Sequence, residues 1–115
     1  MFNDPCKNMM FDTPFSLEFA FTGITRERAA EVAAEFLHGQ IKRGSNCSVT
    51  VPGGRKWHFV YNESVTPLKE VQGCIVNASN DYRVEMLSPV FTHFADVSCC
   101  NELATMLKKA GAFTP

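Results

Sequence analysis

Residues 15–22, FSLEFAFT, constrain the fold more than any other stretch of the chain. Phe15, Leu17, Phe19 and Phe21 alternate with Ser16, Glu18, Ala20 and Thr22. Side chains two apart in a strand share a face, so this is a half-buried strand with an apolar side and a wet side that carries Glu18. Gly23 breaks the pattern. Thr25 then stands where a hydroxyl can cap a helix, ahead of RERAAEVAAEFLHG. Ala29, Val32, Ala33, Phe36 and Leu37 recur there at helical spacing, and Gly39 supplies a stop.

Later segments extend the same alternation. Residues 40–47 are polar and basic and read as a loop. SVTV (48–51) and KWHFVY (56–61) flank PGGR and read as a hairpin. Pro67 turns the chain, and residues 71–78 suggest a further strand with Gly73 as a bulge. YRVEML forms a strand that ends at Ser88 and Pro89, because proline has no N–H to donate and holds the preceding residue extended. In the last helix, Asp96 is the expected N-cap. Val97, Cys100, Leu103, Ala104, Leu107 and Ala110 form the apolar stripe, and Gly111 ends it. The expected class is α+β, in the order β-α-β-β-β-α: a small, mostly antiparallel sheet with two helices packed on one face.

Size and charge narrow the function. With 115 residues and a net charge of −1, the chain reads as a flexible leader (1–13) and a single domain (14–115). No basic cluster suggests nucleic acid. No apolar run approaches the roughly 20 residues that span a bilayer. The N-terminus does not read as a signal peptide. Five cysteines in no metal-ligand spacing fit free thiols in a cytoplasmic protein.

Phosphate-loop, GxSxG and HExxH patterns are all absent. His38, His58 and His93 are scattered and read as surface or structural residues. What remains is a pair of strand carboxylates, Glu18 and Glu85, with Asn62, Glu63 and Ser64 closing a third strand. If those strands are neighbours, their oxygens converge on one side of a sheet. Hard cations such as Mg²⁺ take one or two carboxylates and share the rest of their shell with water and nucleotide phosphates. From pattern alone, the ordinary reading of these glutamates is a sheet face that is simply wet.

Four stretches in series resemble the amidoligase family. SLEFAFTGITRERAAEVAAEFL is similar to its opening strand and helix, RKWHFVYNESV to its tryptophan strand and D-x-S turn, YRVEMLSPVF to its E-x-x-[ST]-P strand, and LATMLKKAGA to the helix that follows. The resemblance implies the front part of a glutamine-synthetase-like fold. It also implies ATP- and Mg-dependent joining of a small-molecule or peptide carboxylate to an amine. Glu18 and Glu85 would be the metal ligands, with Asn62 and Ser64 beside them in cofactor binding.

This chain has Ala20 where the family's E-x-E pair has its second glutamate, and Asn62 where the turn has aspartate. The family also continues beyond the Gly-Ala helix into a histidine-bearing strand, so the expectation is a ligase incomplete or inactive as this chain. The alternative is a non-catalytic interaction module or accessory subunit. Its open sheet edge would then pair with a second copy or another partner.

Overall fold

The computed structural model describes residues 10–115. The chain runs β1 (Met10–Phe15), β2 (Glu18–Phe21), α1 (Arg26–Leu37), β3 (Gln40–Lys42), β4 (Cys47–Thr50), β5 (Lys56–Val60), β6 (Leu68–Val71), β7 (Cys74–Asn77), β8 (Val84–Leu87), β9 (Phe91–His93) and α2 (Phe94–Lys109). The main sheet has five strands in the order β2-β8-β5-β4-β3. Every neighbouring pair in it is antiparallel. The fold is α+β, as the alternation requires.

One face of this sheet is closed by both helices. Val49, Phe59, Val84 and Met86 are fully buried there, together with Trp57 at 3% exposure. They pack against Ala29, Ala30 and Ala33 of α1 and Cys100, Leu103 and Leu107 of α2. Burying each of the larger side chains contributes about 1.5–3 kcal/mol. The run of alanines lets α1 approach the sheet closely. Gly39, just past α1, is required for the same reason: a Cβ on it would lie 2.6 Å from Val49 Cγ1 and 2.9 Å from the Thr50 carbonyl oxygen. The hairpin read from PGGR is present, closed through residues 51–55 between β4 and β5.

Several local expectations change. The strand read over 15–22 is two strands, and β1 pairs with β9 outside the main sheet. Residues 1–9 of the expected leader lie outside the described residues; from Met10 the chain is already strand. Thr22, placed on the wet side by alternation, is fully buried. Its hydroxyl accepts from the Leu68 N–H at 2.9 Å and faces the Tyr82 carbonyl at 2.8 Å. Residues 40–42 are strand β3 rather than loop.

Residues 71–78 are not one bulged strand. Gln72 (φ 51°) and Gly73 (φ 82°) make a two-residue turn joining β6 to β7, and positive φ at both positions suits the twist of a hairpin. α1 is capped by Thr25, whose hydroxyl accepts from the Arg28 N–H at 3.1 Å. It ends on His38 in the left-handed conformation (φ 55°), one residue before the glycine. α2 begins earlier than expected. Its N-cap is His93, and Asp96 is the third helical residue, closing a capping box back onto the His93 N–H.

Candidate active site

The second face of the main sheet carries no helix, and the strand register decides what shares it. Ala20 lies opposite Glu85, which lies opposite Val60. One step along, Glu18 lies opposite Leu87, which lies opposite His58. Glu18 and Glu85 are therefore on the same face of adjacent strands, as diagonal neighbours with Cβ atoms about 7 Å apart. Glu18 is exposed, Glu85 half-buried, and the space above Ala20 is bounded on that side by a single methyl group. The sequence placed both glutamates on wet faces; only the pairing of β2 with β8 brings them together.

Glu85 is held. Asn62 Nδ2 donates to Glu85 Oε2 at 3.0 Å, while Asn62 Oδ1 accepts from the Ser64 N–H at 2.8 Å. The second bond is an Asx turn, and together the two fix which end of the amide faces the carboxylate. Asn62 was expected to offer its oxygen to a ligand. That oxygen accepts from the Ser64 N–H, and the amide nitrogen orients Glu85. An aspartate at this position would set a second negative charge against Glu85. Ser64 contributes its backbone N–H to the arrangement.

Two arginines brace the loops at this end of the sheet. Arg83 donates to the carbonyls of Glu63 and Val65, and its Nε donates to Asn80 Oδ1 at 3.0 Å. It thereby ties the turn holding Asn62 to the chain entering β8. Arg26 is 7% exposed. It donates to the carbonyls of Ser45 (2.7 Å), Asn80 (2.9 Å) and Arg83 (2.8 Å) and reaches Asp81 at 3.3 Å. A buried guanidinium with this many acceptors is a structural strut. Neither arginine was singled out as functional from the sequence.

His58 was read from the sequence as a surface or structural residue. In the structure it is exposed, level with Glu18 and diagonal to Glu85.

A family model described as "Putative amidoligase enzyme" matches residues 13–114. The match covers nearly the whole chain, and the protein belongs to this amidoligase family. No curated protein and no solved structure matches it significantly.

Among the described residues, no three His, Cys, Asp or Glu side chains come together to hold a metal by themselves. The open face therefore offers two carboxylates, Glu18 and Glu85, and no all-protein metal cage. The four cysteines among the described residues are free thiols, and no helix there is long and apolar enough to cross a membrane.

Proposed function

We propose that the open face of the main sheet is the magnesium and nucleotide side of a carboxylate–amine ligase. One observation carries the reading: the register sets Glu18 and Glu85 diagonally on the same solvent-facing side of β2 and β8, with Glu85 held by the Asn62 amide. The amidoligase resemblance supplies the reaction. The γ-phosphoryl group of ATP passes to a carboxylate oxygen, and an amine then displaces phosphate from the acyl-phosphate, leaving an amide, ADP and phosphate. The substrates are a small-molecule or peptide carboxylate and an amine.

In such a reaction the protein mainly positions the groups and neutralises charge on the transferring phosphoryl group. Glu18 and Glu85 would hold Mg²⁺, which supplies that neutralisation. Asn62 keeps the Glu85 carboxylate facing outward, and the Arg83 brace keeps Asn62 in place. Ala20 contributes no charge, so β2 offers one carboxylate, and the ion would depend more heavily on phosphate oxygens.

Titration calorimetry with ATP in the presence of Mg²⁺ tests the reading. The expected result is binding by the native protein that weakens about tenfold or more in Glu85→Gln, the loss of one charged ligand. Equal affinity in the two proteins would remove Glu85 from the site.

A further inference from the structure

The open face also carries a basic half, and we propose that Lys56 and His58, with Lys42 beyond them, form an anion-binding strip. Its ligand class is the polyphosphate of a magnesium-bound nucleotide. The proposal rests on Glu18 and Glu85 being the ligands of the cation.

The strip follows from register. Glu18, Leu87, His58, Ser48 and Lys42 lie opposite one another across the five strands in succession. Lys56 lies two residues before His58 on β5, on the same face and opposite Thr50. His58 is the diagonal neighbour of Glu85, about 7–8 Å away. Lys56 is about 7 Å further along the strand. Acidic groups therefore occupy the β2–β8 side and basic groups the β5–β3 side of one continuous surface. The Ser48 and Thr50 side chains stand in the next strand over as hydroxyl donors.

The other cations explain why these are singled out. Arg26, Arg28, Arg43 and Arg55 are all ion-paired with acidic side chains. Arg83 is spent on carbonyls, and Lys69 lies over the Tyr82 ring. Lys108 and Lys109 sit in the last turn of α2, where they complement the helix dipole. Among the described residues, Lys42 and Lys56 have neither an acidic partner nor a helix end to serve, and both are exposed on the face that holds the unpaired glutamate. Lys42 lies on an edge strand, where lysine also discourages sheet-to-sheet pairing. Lys56 and His58 lie on an interior strand, and the proposal rests chiefly on them.

A polyanion bound at one end through Mg²⁺ on the carboxylates would meet ammonium, imidazole and hydroxyl donors along its length. Without the ion, the glutamates would repel it.

Inorganic tripolyphosphate is the probe, titrated into the whole protein with and without Mg²⁺ and followed by calorimetry and ³¹P spectroscopy. The expected result is magnesium-dependent binding that falls about tenfold or more in the double variant Lys56→Gln/His58→Gln, the loss of the Lys56 charge and of the imidazole donor. Binding of Mg²⁺ alone should be retained in that variant. The double variant Lys108→Gln/Lys109→Gln should bind as the native protein does. Unchanged tripolyphosphate affinity in Lys56→Gln/His58→Gln overturns the proposal, as does an equal loss in the α2 control. If binding needs Lys56 and His58 but not Mg²⁺, Glu18 or Glu85, the strip stands and the ligase reading of the glutamates fails.

Discussion

On β5, Trp57 and Phe59 face the helices while Lys56, His58 and Val60 face the other way. The two sides of this one strand differ in what they are for. On the helix side Phe59 and its neighbours exclude water completely, and changes there act on stability. On the open side the side chains are exposed or half-buried and touch little, so changes there should act on ligands and leave the fold alone. A slip of one residue in the pairing would exchange the two sets, which is why a strongly apolar face fixes the register that places Glu18 beside Glu85.

The largest effect expected from breaking this contrast is at Phe59. Phe59→Ala should cost about 3–5 kcal/mol, read as a lower urea midpoint. Glu18→Gln on the opposite face should stay within about 0.5 kcal/mol. A large loss in Glu18→Gln would mean that the open face is structural after all.

Arg26 is the next test, because it is a buried charge at the start of α1. Arg26→Met leaves the Ser45, Asn80 and Arg83 carbonyls without their donor and should cost about 3 kcal/mol in the same measurement. If the brace positions the site, amide resonances around Asn62 and Glu85 should shift in a variant that still folds.

Asp96, in the first turn of α2, is the smallest of the destabilising changes. Burial pushes its carboxyl up. Hydrogen bonds from Arg55 and from the Thr92 and His93 backbone N–H groups, with the Arg55 charge, outweigh that and hold it below the ordinary carboxylate value. A group depressed in the folded state contributes stability above its unfolded pKa and loses it as pH falls through the folded one. Asp96→Ala should cost about 1 kcal/mol at neutral pH, the worth of a helix cap. The gap to the native protein should close as the solution is acidified below the carboxylate range.

The alternation of apolar residues made both faces legible, since it needs only neighbours in the chain. Thr25 as a cap and the closed turn at PGGR were legible for the same local reason. What stayed hidden depended on distant partners. That β2 pairs with β8, more than sixty residues away, decides whether two wet glutamates are neighbours, and nothing local encodes it. Burial of Thr22 depends on Leu68 and Tyr82, and the role of Asn62 depends on Glu85. The β6–β7 turn was missed because glutamine, not asparagine, precedes Gly73, so the usual signal for positive φ at both positions was absent. Asp96 was placed at the wrong end of its own capping box, because a histidine N-cap is unusual and an aspartate in the first turn serves either role.

The most direct measurement is an amide-resonance titration of the native protein with ATP and Mg²⁺. If the open face is the site, the resonances of Glu18, Ala20, His58 and Glu85 should move together, while those of core positions such as Ala33 and Leu103, away from that face, stay still. Shifts that map to the helix side, or none at all, would contradict the assignment of this face.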